Sequence, residues 1–592
     1  MYSFAEVKIQ KGLRASDAVV FGLIGLGLYG LITTAQRWHG AYQPEFKLDL
    51  SMSALPLYSL YSLFRALIAY GLSLLFTLTF GYLAAKNRFA EKIIVPLLDI
   101  GQSIPVLGFL PGLVLGLVAL FPNTNVGLEL ACIIMIFTGQ VWNMTFSYIS
   151  SLKSVPTQLY EMVDNVGLNP VQKLLKLELP CTATGLAWNS LMSMAGGWFF
   201  LTVCEAFTLG DKNFRVPGLG SYMAVAIEQN NAQAMLAGIL AMISIIVFMD
   251  FIIWRPIISW TAKFQLSESN EILNSNIPFI SLLLKGSPFF HRVSGLFGRL
   301  IASVLGFSGA YKQSSIVKPL RAYIDRKPKG KRQQLRNLAK LFASSAFIRS
   351  ITLGILCVGG FVILGNVYKI VEHVRWTEWR DIIVATSFTA LRVFAALIIA
   401  SLWAVPVGIW IGLSPRLTRA FQPFIQVGAS FPAPMLYPLA IGIFTYVGLQ
   451  LSISSSLLML LGVQWYVLFN VLAGAIGISQ DLRESFRLIG LSGKTRWSKL
   501  YLPSIFPSLV TGWVTAAGGA WNASIVSEYV SFRGQILKTR GLGALISEAT
   551  SSGNFPILAA CLIVMTVTVV SINRFGWSRA YHLAETRFRF ER

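Results

Sequence analysis

The chain has 592 residues, of which 54% are hydrophobic and 13% charged, and its mean hydropathy is +0.62. That balance excludes an ordinary soluble domain, which needs a charged surface around its core, and describes an integral membrane protein. The formal net charge of +23 sits in segments between apolar runs, the pattern of cytoplasmic loops under the positive-inside rule; a nucleic-acid patch is the rival reading for 318–340 alone.

A bilayer-crossing helix needs about 20 apolar residues. Such runs fall roughly at 16–36, 57–85, 93–121, 128–150, 185–209 and 233–255 in the first half. The second half offers 348–367, 382–412, 420–447, 452–477, 506–530 and 554–574. Lys8, Lys11 and Arg14 precede the first run and no small-residue cleavage site follows it, so it reads as a span and not as a cleaved leader. Between the halves, Lys285, Gly286, Pro288, His291, Arg292 and Arg299 interrupt the apolar stretch 278–307. That stretch is expected to lie at the interface within a basic cytoplasmic linker. The organisation expected is a membrane domain over 1–262, the linker over 263–340 and a second membrane domain over 341–592, with both termini cytoplasmic. The five cysteines and four histidines are dispersed without a CxxC, so packing roles are expected, with no disulfide framework and no metal site.

The two halves are copies of each other. At an offset of 327, Arg65 falls on Arg392, Gly81 on Gly408, Pro96 on Pro423, Gly101 on Gly428, Ser103 on Ser430, Pro105 on Pro432 and Pro111 on Pro438. After a four-residue gap the offset is 323, which matches Gly139 to Gly462, Trp142 to Trp465, Trp198 to Trp521, Glu205 to Glu528, Gly218 to Gly541 and Gly220 to Gly543. The same offset matches a loop that occurs twice. One copy carries Glu161, Gly167 and Pro180, the other Glu484, Gly490 and Pro503. Keeping both copies on one side of the membrane requires an even number of spans per half; about six satisfies this and gives two parallel repeats.

Each loop combines a Glu, a Gly six residues on and a Leu-Pro exit, and in this it resembles the EAA loop of ATP-binding-cassette import permeases. The resemblance implies a short cytoplasmic helix that docks into an ATPase subunit, stiffened because Gly permits a left-handed turn and Pro is expected to stop the helix. Met162, Val163, Ser485 and Phe486 depart from the small residues usual in that family. Both halves also carry a hydroxyl residue and Leu before an Arg (Ser62, Leu63, Arg65; Thr389, Leu391, Arg392). Each further has a proline-rich third run and a Trp-x6-Glu followed by Gly-Leu-Gly. These features resemble permeases of the nitrate, sulfonate, taurine and bicarbonate uptake group, in its duplicated anion-permease form. What the resemblance implies is an all-α membrane protein of about twelve helices in two six-helix repeats, like a type I importer. It further implies two ABC ATPase subunits that bind ATP and Mg, a periplasmic or tethered substrate-binding protein, a small anion as cargo and a bacterial inner-membrane location.

The string Gly490-Leu491-Ser492-Gly493-Lys494-Thr495 is no phosphate-binding loop, because G-x-x-x-x-G-K-[ST] would need glycine at Leu488 and a preceding strand. No catalytic cluster appears, so the chain is read as a transport subunit without enzyme chemistry of its own. The rival class is an ion-coupled secondary transporter of 6+6 spans, which would need a membrane-embedded relay and leaves two EAA-like loops unexplained.

Arg65 and Arg392 lie inside apolar runs, where a charge costs about 2.5–3.5 kcal/mol, so each is expected to be paired or functional. Pairing of Arg65 with Glu205 and of Arg392 with Glu528, as two equivalent ion pairs, is one reading; a pair of anion-attracting sites along a pathway is the other. Gln102, Ser103 and Ser430, beside the prolines of the third run, are the further pathway candidates, together with backbone amides freed where Gly101–Pro105 and Gly428–Pro432 unwind.

Overall fold

The computed structural model describes residues 15–264 and 365–587, apart from 41, 104, 211, 491, 492 and 534. The expected linker and the run 348–367 lie almost wholly outside them. By contact the chain falls into two compact units. Of the described residues one holds 15–22, 158–177 and 365–373, and the other holds 23–157, 178–264 and 374–587 with the spans and hairpins.

In the first half the chain runs through α1 (Ala15–His39), α2 (Leu55–Phe76), a π turn (Thr77–Gly81) and α3 (Tyr82–Lys86). Then come α4 (Arg88–Ser103), α5 (Leu110–Leu120) and α6 (Val126–Lys153). The loop helices α7 (Thr157–Asn165) and α8 (Pro170–Lys173) lead through a π turn (Leu174–Glu178) to α9 (Leu179–Cys204). A hairpin of β1 (Ala206–Leu209) and β2 (Lys212–Arg215) follows, then α10 (Leu219–Glu228), α11 (Ala232–Met249), a π turn and α12 (Arg255–Thr261).

The second half repeats this order: α13 (Trp376–Gly412), α14 (Pro415–Ser430), α15 (Tyr437–Tyr446), α16 (Leu451–Ile476), α17 (Gln480–Leu488), α18 (Gly493–Arg496), α19 (Leu502–Ser527), β3 (Tyr529–Phe532), β4 (Gln535–Lys538), α20 (Leu542–Ser551), α21 (Phe555–Ser571) and α22 (Ser578–Arg587). Even the caps recur. Asn231 accepts a hydrogen bond from the Ala234 amide at the start of α11, and Asn554 accepts one from Ile557 at the start of α21.

Among the described residues seven helices are long and apolar enough to cross a membrane, or eight if one bent pair is counted as a span. The third run of each half differs from a simple span. In the second half α14 and the helix that follows it meet at 86°. The reason is local: Pro105 and Pro432 adopt extended backbone (ψ 113° and 110°) that no helix accepts, and each is followed by a single 3-10 turn before α5 or α15 begins. The sequence pattern also leaves the hairpins unannounced, since each strand is only four residues long and β1 is absorbed into the end of an apolar run; the run 185–209 therefore ends as a helix at Cys204.

Paired glycines explain part of the duplication. A Cβ on Gly101 would stand 2.6 Å from the Trp142 ring, and one on Gly428 would stand 2.6 Å from the Trp465 ring. The indole of α6 or α16 thus packs directly against the end of the broken helix, at a distance that only glycine allows. Gly428→Ala is expected to lower stability by about 1–3 kcal/mol through overpacking. Gly116→Ala, whose Cβ would meet nothing within 4 Å, should raise it by about 0.5–1 kcal/mol, the ordinary helical gain over glycine. Thermal unfolding in detergent reads both; a stabilised Gly428→Ala would refute the close packing.

Candidate functional site

The first loop is built around Gly167. α7 ends with the Gly167 amide donating to Asp164 O and the Leu168 amide to Val163 O, while Gly167 itself sits at φ +74°. A Cβ there would meet nothing within 4 Å, so backbone strain and not space selects glycine. Asn169 then caps α8, accepting from the Gln172 amide at 2.8 Å while its own amide donates to Gln172 Oε1, and Lys173 pairs with Asp164 across the turn.

The second loop is built the same way: Ser479 caps α17, the Gly490 amide donates to Arg487 O, and Gly490 sits at φ +76°. Glu161 and Glu484 are exposed on their helices. Beside them Met162, Val166, Leu488 and Ile489 leave apolar side chains 56, 70, 88 and 71% exposed. These polar helices thus turn apolar groups outward next to a left-handed glycine turn.

Pro180 and Pro503 do something other than stop a helix. Each is the second residue of the long helix that follows, and a π turn stands immediately before it, Leu174–Glu178 in one case and Trp497–Tyr501 in the other. The wider turn accommodates the missing proline N–H, so residues Gly493–Ser527 run as one helix of 35 residues from the loop into the span.

At the far end of α9 and α19 lie the buried charges. Arg65, on α2, donates from Nη1 to Glu205 Oε1 at 2.7 Å and holds Glu129 on α6 with Nε at 2.5 Å and Nη2 at 2.8 Å. Ser62 Oγ donates to Glu205 Oε1 at 2.7 Å and accepts from the Leu219 amide, while the Gly220 amide donates to Glu205 Oε2 at 2.7 Å. In the second half Arg392 Nη1 donates to Glu528 Oε1 at 2.8 Å, Thr389 Oγ1 donates to the same oxygen, and the Gly543 amide donates to Oε2. Gly218 and Gly541 are required because a Cβ would fall within 2.3 and 2.2 Å of the two carboxylates. The Trp-x6-Glu and Gly-Leu-Gly pattern is therefore one structural unit: the glycine loop wraps the carboxylate that ends the helix.

Both ion pairs form, but they are not equivalent. Glu129 has no counterpart, because the repeat places Ser452 there, and Arg392 Nε donates to the Ser452 carbonyl at 3.1 Å instead. Arg37 stands 3.9 Å from Glu129. Glu129 was hidden from the sequence comparison because the halves differ at that position. Arg65 is 1% exposed and Arg392 7%, so neither guanidinium opens on a cavity, and the geometry does not favour reading them as anion-attracting sites.

The other pathway candidates scatter. Gln102 is half-buried near the end of α4, which Ser103 closes. Ser430 is 6% exposed and lines a narrow cleft with Leu191 and Met192 of α9 and with Trp465 and Tyr466 of α16. The amide that follows Pro105 is not free: Val106 donates to Asn522 Oδ1 of α19 at 2.9 Å. A further buried group outside the sequence expectation is Asp250, in the π turn after α11, which accepts from Arg255 Nε at 2.7 Å and from Gln426 of α14.

Removing Arg65 leaves Glu205 buried without a cation and Glu129 with only the more distant Arg37, so Arg65→Met is expected to cost about 3–5 kcal/mol. Arg392→Met should cost less, because Glu528 retains a hydroxyl and two amide donors. The triple change Arg65→Met, Glu129→Gln, Glu205→Gln should recover part of the loss. Melting temperatures in detergent measure all three; equal losses for the two arginines would contradict the asymmetry.

The profile of the family described as binding-protein-dependent transport system inner membrane component matches residues 77–253 and again 404–576. The putative ABC transporter permease of Methanocaldococcus jannaschii is 26% identical over 189 residues, 32% of this chain and 67% of that protein. The taurine transport system permease of Escherichia coli is 29% identical over 199 residues, 34% of this chain and 66% of that one. The nitrate import permease of Leptolyngbya laminosa is 26% identical over 174 residues, 29% of this chain and 59% of that one. The chain thus spans about two thirds or less of the length of these relatives.

Proposed function

Since the chain belongs to the binding-protein-dependent transport system inner membrane component family, as a duplicated ABC permease that transports and is not an enzyme, we propose that it supplies both membrane halves of an ATP-driven importer for a small anion. One observation carries the reading: the loop with its glycine at φ +74° recurs in the second repeat with its glycine at φ +76°, each flanked by exposed apolar side chains. Each loop takes one ATPase subunit, giving two in all, and those subunits hold the ATP and Mg. A periplasmic or tethered binding protein delivers the cargo. The anion class is supported by the relatives named for taurine and nitrate transport. In this reading Glu161, Gly167 and Pro180, with Glu484, Gly490 and Pro503, form the coupling elements. Closure of the ATPase pair pushes on α17, and the continuous helix Gly493–Ser527 carries that movement across the membrane. The linker, the loops and both termini lie on the cytoplasmic side.

Gly167→Val together with Gly490→Val places a β-branched residue in the left-handed region, a strain of about 1–2 kcal/mol per site. The double variant is expected to insert normally, yet its reconstituted complex should hydrolyse ATP without coupled uptake. Normal coupled uptake would refute the docking role. Orientation is tested separately. A membrane-impermeant maleimide should label Thr208→Cys on the β1–β2 hairpin in intact cells and leave Arg579→Cys unlabelled; the reverse pattern would invert the topology.

A further inference from the structure

Two junctions of the same kind join the halves on the face opposite the second loop. α19 runs for 26 residues from that loop to Glu528, about 39 Å at 1.5 Å per residue, and the β3–β4 hairpin begins there. At one junction the turn of the β1–β2 hairpin, Gly210 at φ +58°, meets the turn between α20 and α21, Gly553 at φ +68°. The Gly210 amide donates to Thr550 O, and a Cβ on Gly553 would stand 3.9 Å from the Gly210 Cα. That junction is closed by two glycines.

The other junction exchanges both. The repeat places Arg533 where the first half has Gly210, and Asn230 where the second half has Gly553. Arg533 and Asn230 keep the left-handed backbone, each at φ +52°, and are the two non-glycine residues with positive φ among those described. Glycine would hold both turns without strain, so the side chains are kept against a backbone preference. They border a cavity of about 390 Å³ whose other walls include Met235, Leu439, Ile443 and Phe532. The Arg533 guanidinium lies 5.2 Å from the Phe532 ring centroid, is exposed, and has no ion pair among the described residues.

We infer that this cavity is a receiving site for an amphipathic organic oxyanion, a sulfonate or carboxylate on a short apolar body. The guanidinium fork takes the oxyanion in the bidentate geometry that Arg favours, the Asn230 amide adds a donor, and the aliphatic and aromatic walls take the body. The inference rests on the importer reading, which puts this face outside, where cargo arrives. The matching junction offers neither side chain, and its two turns meet directly through Gly210 and Gly553.

The test is calorimetric titration of the full chain in lipid nanodiscs with sodium butanesulfonate. Saturable binding is expected, at least tenfold tighter than that of nitrate, which has no apolar body. Arg533→Gly restores the residue of the matching junction and relieves the turn, so it should melt no lower than the parent while binding butanesulfonate at least tenfold more weakly. Asn230→Gly should weaken binding by a smaller factor, and Arg533→Lys should fall between the parent and Arg533→Gly. Absence of binding to the parent chain, parent-like binding by Arg533→Gly, or nitrate bound as tightly as butanesulfonate would each overturn the site. A chain that couples ATP hydrolysis to uptake yet fails this titration sinks the inference alone, whereas loss of coupling sinks the importer reading.

Discussion

A carboxylate buried out of reach of bulk solvent organises each half of this protein. Glu205 and Glu528 are fully buried at the ends of the helices that rise from the loops. An ion in that position is tolerated only when every lone pair is met. The partners come from three directions: an arginine on α2 or α13, a hydroxyl one turn away on the same helix, and backbone amides of the Gly-Leu-Gly segment. Because Val216 and Thr539 also donate their amides to the carbonyls of Glu205 and Glu528, the hairpin is tied to the same residue. The arginine-bearing helix, the loop-connected helix, the hairpin and the short helix after it are thus held at one point in each repeat.

Duplication gave two such assemblies, and their differences are local and chemical. Glu129 turns one arginine site into a doubly acidic one, while Ser452 meets its counterpart with a carbonyl. Gly210 and Gly553 close one junction between the halves; Arg533 and Asn230 leave the other open. Asp250 reaches across to Gln426, and the repeat register sets Asn573 and Asp99 at the matching positions, so carboxylate and amide trade places between halves. A fused chain can hold such asymmetries permanently, which two identical subunits cannot.

The membrane-embedded irregularities follow one rule. Proline removes a donor, and the backbone group so freed must be accommodated within the protein because lipid offers nothing. Two solutions appear. Pro180 and Pro503 sit just after a π turn that widens the ladder and keeps the helix continuous. Pro105 and Pro432 instead break the helix outright, and the Val106 amide at the first break is met by Asn522 from the other repeat. Continuous rods and broken spans thus come from the same residue type in different settings.

The membrane class, the duplication and the two loops were legible in the linear chain, and the pairing of Arg65 with Glu205 and of Arg392 with Glu528 stood there as one of two readings. These depend on composition, on register and on the cost of a lone charge in an apolar run, all of which survive in one dimension. The rest depended on how the chain folds. Glu129 joined the ion pair because α6 brings it to Arg65, and nothing in the repeat pointed there. The hairpins escaped notice because their strands are four residues long. Pro180 and Pro503 changed meaning because a π turn precedes them. Arg533 and Asn230 became a site because two distant turns, each unremarked in sequence, meet across the junction of the halves: backbone angles and side-chain convergence belong to the folded chain, and a linear pattern does not encode them.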